Sequence, residues 1–535
     1  MFKYRKHSTT EADNAQRSLD GFARSGNKYT EGFKYNNRQS NLDLSGKVDD
    51  EQKKQHRTDE QQEASFPGLS VAFQQGKTMI DLEGIDEAPR KKHKKRRRFG
   101  KLFKRLALAS TVIVLSTAGY LTYKGLSTVR TVFKGNGDGS LALNQNIDPS
   151  LLKGEGDGRI NIMLLGKGGE THPGGELTDS MIIASIDPFN KKAALLSIPR
   201  DLYVNVPGFW SMKINAAYVS GKQKAYDQGL NDDQAEAAGI KTLEETIETY
   251  IGVPIHYYIM IDFLAFEDAV DAVGGVTVDV KSRVYDTNFL PTYLLDIQPG
   301  PHKFTGPEVL FYVRSRYTSP RGDFDRAQRQ REVLLALKDK ILSAGTFANP
   351  LKISGLLDSI GKNVHSSLSV DELLAVYNIV KDVQPADIKS LSFVDDTLLV
   401  TTGYVGDQSV VLPLAGPNDF SQIQEYVRSN LVDGFITKEA ATITVLNGSG
   451  YVGKASTATK MLQSYGYNVT QTADAPTSDY LDTIIIDNTN DQKPYTRSYL
   501  EKRFGVTAVD KSPKPGLEAY QSDFVIILGA NEKSI

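Results

Sequence analysis

Between Val313 and Arg331 the chain reads Val-Arg-Ser-Arg-Tyr, a short loop, then Asp-Phe-Asp-Arg-Ala-Gln-Arg-Gln-Arg, a stretch that holds six arginines. Arg314 and Arg316 stand two apart on an expected strand over 309–317, which turns both guanidinium groups to one face. Beyond the loop, Asp323 or Asp325 is placed to cap a helix whose apolar Val333, Leu334, Leu337 and Ile341 form one stripe. Carried backwards in steps of one helical turn, that stripe reaches Gln330 and Arg326 on the inward side, with Arg329 beside them. A buried charge without a partner is costly, so an anion is expected there. The planar guanidinium fork matches phosphate oxygens two at a time, which makes a phosphate or pyrophosphate the simplest partner. Structural pairing with Asp323 and Asp325 is the competing explanation, because ion-pair networks imitate sites.

Other groups able to do chemistry sit at expected strand ends. Asp179, in Leu177-Thr-Asp-Ser180, offers a carboxylate near Glu170 and Glu176 in a Gly-rich loop, a donor type that suits Mg²⁺ when phosphate and water fill the remaining positions. Arg200 and Asp201, in Ser197-Ile-Pro-Arg-Asp201, close a buried strand at the edge where α/β sheets bind ligands. Lys213, Asn215 and Tyr218 add polar contacts or else form an ordinary surface helix. Gly448-Ser-Gly450-Tyr-Val-Gly453-Lys454 has dinucleotide-loop spacing and approaches a P-loop, but Ala455 replaces the hydroxyl that would hold Mg²⁺; a tight strand-to-helix turn explains its glycines. The seven histidines show no metal-ligand spacing and no Gly-x-Ser-x-Gly elbow occurs, so nucleophilic hydrolase chemistry has no support.

These groups need a scaffold, and 535 residues exceed one core. Residues 1–89 are polar without a sustained period and read as a disordered cytoplasmic tail. Residues 90–105 carry eleven Lys or Arg and no acid, and 106–123 are apolar or small throughout, long enough for a transmembrane helix. The positive-inside rule then puts the N-terminus in the cytoplasm and everything after Lys124 outside the cell membrane. A nucleic-acid patch would need no apolar neighbour, so no nucleic-acid partner is expected. The chain contains no cysteine, which removes disulfides, thiol chemistry and Cys-held metals. Residues 124–159 read as a tether. Mixed strands and helices over 160–433 argue for one α/β domain on a central sheet; a linker over 434–440 leads to a small α/β domain over 441–531.

Together these residues resemble the LytR-CpsA-Psr family. The resemblance is carried by Leu164-Leu-Gly166, Thr178-Asp179, Ile198-Pro-Arg-Asp201, Lys213-Ile-Asn-Ala-Ala-Tyr218, Gly274-Gly-Val276, Gly300-Pro-His302 and Arg314-x-Arg316-Tyr317 followed by Asp323-x-x-Arg326-x-x-x-Gln330. The part from Ala441 is similar to the LytR C-terminal domain often joined to that family. The resemblance implies a central mixed sheet. It also implies a phosphotransferase that moves a glycopolymer from a polyprenyl-pyrophosphate carrier to peptidoglycan or another wall acceptor through a phosphodiester. By the same resemblance Arg200, Arg314, Arg316 and Arg326 hold the pyrophosphate with help from Gln330, Asp323 serves the head group, and Asp179 holds Mg²⁺.

The chain departs from the family pattern twice. Leu177 stands where the family usually has Arg, and Lys167-Gly168 where it usually has an acid. Three outcomes are open: a metal held by Asp179 and water alone, Lys167 replacing the missing cation at the substrate, or Glu170 or Glu176 substituting as ligand. A lipid-pyrophosphate hydrolase and a non-catalytic wall-binding or regulatory anchor would use the same grip.

Overall fold

The computed structural model describes residues 139–531 apart from 145, 170, 171, 173, 291, 292, 318, 343–362, 396, 397, 511–516 and 518. The expected tail, basic run, transmembrane helix 106–123 and first part of the tether lie outside the described residues, as does Glu170. Among the described residues no helix is long and apolar enough to cross a membrane.

The first domain begins with the meander β1 (Ile160–Lys167), β2 (Thr178–Asp187) and β3 (Lys192–Ser197). The hairpin β4 (Tyr203–Asn205) and β5 (Ser211–Lys213), helices α1 (Ala217–Asp227) and α2 (Asp232–Ile251), β6 (Tyr257–Asp262) and α3 (Phe263–Ala272) follow. Next come β7 (Val276–Val280), β8 (Val284–Asp286), β9 (Leu295–Ile297), β10 (Gly300–Phe304), α4 (Gly306–Arg314) and α5 (Asp323–Leu342). The domain closes with β11 (Val364–Ser366), α6 (Val370–Val380), β12 (Ile388–Leu391), the hairpin β13 (Val400–Val405) and β14 (Gln408–Pro413), and α7 (Ser421–Asn430).

Six strands form a central mixed sheet in the order β11-β6-β1-β2-β3-β12. β1 is parallel to β6 and antiparallel to β2, which is antiparallel to β3. The ends of β1, β3 and β6 and the start of β2 therefore meet at one sheet edge, which collects Lys167, Asp179, Arg200 and Asp262. Successive side chains point to opposite faces and both faces are covered, so these strands read as almost continuous apolar runs. Met163, Leu165, Met181, Ile183 and Leu196 join Ile240, Leu243 and Ile247 of α2 in one core, while Ile160, Ile162 and Ile186 face the other way toward Val376 of α6. Each such side chain contributes about 1.5–3 kcal/mol on burial.

A second core lies under α3, α4 and α5, built from Val270, Val276, Val278, Leu295, Phe304, Val309, Leu310, Tyr312 and Val333. Here the structure corrects the strand expected over 309–317. Thr305 and Glu308 form a capping box with Pro307 in the first turn, and α4 runs from Gly306 to Arg314. The buried Val309, Leu310, Tyr312 and Val313 fit a helical stripe as well as an alternating one, and the capping residues decide between them. Arg314 is the last helical residue and Arg316 lies beyond the cap, so the two do not share a strand face.

The C-terminal domain has α8 (Gly434–Glu439), β15 (Thr442–Asn447), α9 (Lys454–Ser464), β16 (Asn468–Asp474), β17 (Ile484–Asp487), α10 (Pro494–Phe504) and β18 (Phe524–Leu528), with sheet order β16-β15-β18-β17. Residues 434–440, expected to be a linker, instead contain α8, whose Phe435 is buried between Phe189 and Tyr495. The described end of the expected tether is also folded: Ser498 Oγ donates to Pro149 O, and Glu155 accepts from Tyr467 OH and Arg503 Nε. Buried Asp433 accepts from the backbone N–H groups of Gly156, Gly158 and Phe435 and from Tyr499 OH. Seven residues of local sequence carry no sign of these distant partners, which is why the segment read as a linker.

Candidate active site

At the strand edge, the start of β2 carries Asp179 and the turn after β3 presents Arg200, while the first turns of α5 bring Asp323, Arg326 and Gln330 over them. The cleft between them is also lined by Ser180, Pro199, Phe324 and Phe393. Arg200 Nη1 donates to Asp179 Oδ1 at 2.8 Å, and Asn215 Nδ2 approaches the same oxygen at 3.3 Å. Arg200 Nε lies 3.5 Å from Asp323 Oδ1 and 3.7 Å from Asp201 Oδ2, too far or too poorly aligned for hydrogen bonds. Arg326 Nη2 donates to the Asp179 carbonyl and sits 2.8 Å from Asp323 Oδ1.

Three buried polar atoms in this cleft have no hydrogen-bond partner: Arg200 Nε, Arg326 Nε and Asp323 Oδ1. Buried polar atoms are seldom left so. Burial works against the charge on Arg326 and holds its pKa below the ordinary value, with Asp323 opposing that effect and Arg200 adding to it. Burial also works against Arg200, but Asp323, Asp179 and Asp201 outweigh it and raise its pKa. For Asp179, burial alone would raise the pKa; Arg200 and Arg326 hold it below the usual carboxylate range.

Arg314 and Arg316 reach this place from the end of α4. The Arg314 guanidinium lies 4.6 Å from the Phe263 ring centre and 5.9 Å from that of Phe289, and its Nη2 is 2.8 Å from His172 Nε2. Burial lowers its pKa, while Asp179 and Glu267 pull the other way. Arg316 packs 4.9 Å over Tyr317, near enough to the cleft for its charge to oppose that of Arg326. Gln330 accepts from Ser180 Oγ at 2.9 Å, and its Nε2 faces the Val313 carbonyl, so it ties α5 to β2 and α4.

The remaining sequence candidates separate. Lys213 pairs with Asp201 at 2.9 Å beside Arg200, which keeps both at the cleft. Lys167 is instead 3.2 Å from Glu176, which Lys222 also holds at 2.7 Å. Two lysines thus share one carboxylate, which leaves a net positive charge on the triad and occupies both oxygens of Glu176. Arg329, expected at the substrate, is buried and donates to the carbonyls of Tyr312 and Ser315, closing the end of α4; this is a correction, since helix position alone cannot tell a carbonyl partner from a phosphate. Among the described residues no cluster of three metal-ligating side chains occurs. Asp179, the carboxylate expected to hold Mg²⁺, has its Oδ1 already committed to Arg200 and Asn215.

Sequence reasoning missed His172 as a neighbour of Arg314, although a lone histidine between paired glycines was visible; the segments 263–266 and 289–295 read as ordinary core or the lining of an apolar pocket, and Phe263 and Phe289 flank the Arg314 guanidinium. It also missed Arg331, which is 2% exposed and joins Ser197, Ser390 and Asp395. In the C-terminal domain Lys454 Nζ donates to the Gly529 carbonyl at 2.6 Å, so the P-loop-like lysine serves the fold.

The profile of the LytR_cpsA_psr family matches residues 125–411, and that described as LytR cell envelope-related transcriptional attenuator matches 440–531. The chain is 26% identical over 430 residues to the cell wall biosynthesis protein LcpA of Corynebacterium glutamicum, covering 72% of this chain and 79% of that protein. It is 32% identical over 295 residues to the polyisoprenyl-teichoic acid–peptidoglycan teichoic acid transferase TagU of Oceanobacillus iheyensis, covering 54% and 83% respectively. It is 31% identical over 203 residues to the regulatory protein MsrR of Staphylococcus aureus, covering 38% and 55%. With a cleft of converging arginines and a profile match across more than half its length, the chain belongs to the LytR-CpsA-Psr family.

Proposed function

We propose that this protein transfers a glycopolymer from a polyprenyl-pyrophosphate carrier to a hydroxyl of peptidoglycan or another wall acceptor. The observation that carries the reading is the pair of unpartnered, buried guanidinium nitrogens, Arg200 Nε and Arg326 Nε, in one cleft. A diphosphate supplies the acceptors they lack. The relatives named as a teichoic acid transferase and a wall biosynthesis protein support the choice of substrate class.

In the proposed reaction the acceptor oxygen forms a bond to the phosphorus that carries the sugar. The bond from that phosphorus to the bridging oxygen breaks, and polyprenyl phosphate leaves. Phosphoryl transfer asks a protein mainly to position reactants and to stabilise spread negative charge. Arg200 and Arg326 grip from the sheet edge and α5, while Arg314 and Arg316 approach from α4. The acceptor proton passes to a carboxylate. Asp179, Asp201 and Asp323 are the carboxylates at hand. Mg²⁺, where used, would sit at Asp179 and supply charge neutralisation between the phosphates. The half-buried Phe263, Phe266, Phe289, Tyr293 and Phe311 beside Arg314 offer the carrier an apolar surface. The apolar segment 106–123 would hold this outer domain to the membrane where that carrier resides.

The test uses full-length protein in detergent with a labelled lipid-pyrophosphate glycan and wall acceptor. Wall-linked phosphodiester is the expected product. Free polymer phosphate alone would identify a hydrolase, and donor binding without any product would identify a non-catalytic anchor.

A further inference from the structure

Arg314 has no carboxylate within ion-pair distance among the described residues, and a histidine stands beside its guanidinium. Arg314 Nη2 and His172 Nε2 are 2.8 Å apart. A guanidinium has only donors, so His172 Nε2 must be the acceptor and its ring proton must lie on Nδ1. We infer that His172 is a positioning residue, a neutral imidazole whose Nε2 orients Arg314 toward the diphosphate; this rests on the function proposed above.

The surrounding chain is built to hold that ring. The His172 N–H donates to the Gly169 carbonyl at 3.1 Å, and its own carbonyl accepts from Gly175 N–H at 2.8 Å. A Cβ on Gly168 would stand 3.0 Å from His172 Cβ, and one on Gly175 would collide with the Gly169 carbonyl, so both glycines make room for this turn. The imidazole meets Phe263 edge-on at 5.4 Å, and Phe263 also lies under the Arg314 guanidinium. Loop, ring and guanidinium thus form one packed unit at the sheet edge. Among the described residues, charged groups near this unit include Asp262, which faces Gly169, Lys167, which acts on Asp262, and Glu267 and Asp179, which act on Arg314.

The role is specific to the acceptor atom. A glutamine at 172 can present an amide oxygen to Arg314, whereas alanine cannot. Full-length wild type, His172→Ala, His172→Gln, Arg314→Ala and the double alanine variant are compared by kcat/KM for the lipid donor and by calorimetric affinity for inorganic pyrophosphate. Loss of one hydrogen bond to a charged group predicts a roughly tenfold fall in both for His172→Ala, at unchanged melting temperature. His172→Gln recovers most of it, and His172→Ala has no further effect once Arg314 is alanine. Wild-type values in His172→Ala beside a defective Arg314→Ala would overturn the inference. So would a glutamine variant no better than alanine, or additive losses in the double variant. If pyrophosphate binding shows the coupling while no glycan reaches the acceptor, His172 positions Arg314 but the proposed transfer is wrong.

Discussion

Arg200 Nη1 and Asp179 Oδ1 are hydrogen-bonded at 2.8 Å, yet the Nε of the same guanidinium is buried without an acceptor. The carboxylate sets the plane of the fork, and Asp323 and Asp201 stand 3.5 and 3.7 Å from its Nε. Arg200→Ala is therefore expected to reduce transfer by about a hundredfold or more, the scale of losing a preorganised donor to transition-state charge. Arg200→Lys recovers little, because an ammonium cannot hold Asp179 and a phosphate in one plane. Steady-state kinetics with the lipid donor checks both.

Arg331 makes a contrasting prediction. It ties Ser197 at the end of β3 to Ser390 on β12 and to Asp395, all by side-chain contacts. Removing it leaves Asp395 without this partner, and Arg331→Ala should cost about 3 kcal/mol in urea unfolding. Turnover per folded molecule is expected to stay near wild type.

Asp179 links the cleft to pH. Burial would raise its pKa, but Arg200 and Arg326 hold it below the ordinary 3.8. As pH falls through 3.8, the unfolded chain takes up the proton first, so folding weakens. The stability that this carboxylate contributes is fully present above that value and is lost as pH drops through the lower folded value. Melting temperatures of wild type and Asp179→Asn should differ by a constant amount from pH 7 to about pH 5, and converge below 3.8.

The junction between the two domains is testable through Tyr499, whose hydroxyl donates to Asp433 at 3.0 Å. Tyr499→Phe removes one donor from a buried carboxylate and should cost about 2 kcal/mol, read by urea unfolding. Transfer activity at low temperature should be unaffected.

Much of this fold was legible because its strands and helices carry their own signals. The apolar runs of β1, β2 and β3 and the Asn447-Gly448 turn announce themselves locally. What was not legible depends on distant partners. Arg326 and Arg329 share one helix and one residue type, but only the position of the α4 carbonyls decides that Arg329 closes a helix end while Arg326 enters the cleft. Arg314 looked like a strand residue because Val309 to Val313 satisfies two periods, and the Thr305 and Glu308 cap resolves the choice. His172 carried a weaker sign, a single imidazole among glycines, whose meaning needs Arg314 in view.

The central claim is that a diphosphate completes the hydrogen bonding of Arg200 and Arg326. The direct measurement is a crystal structure of the two folded domains with a short-chain prenyl pyrophosphate bound. Phosphate oxygens within hydrogen-bond distance of Arg200 Nε and Arg326 Nε are predicted, with the prenyl chain toward Phe263 and Phe289. Pyrophosphate bound elsewhere, with both nitrogens still unpartnered, would contradict the account.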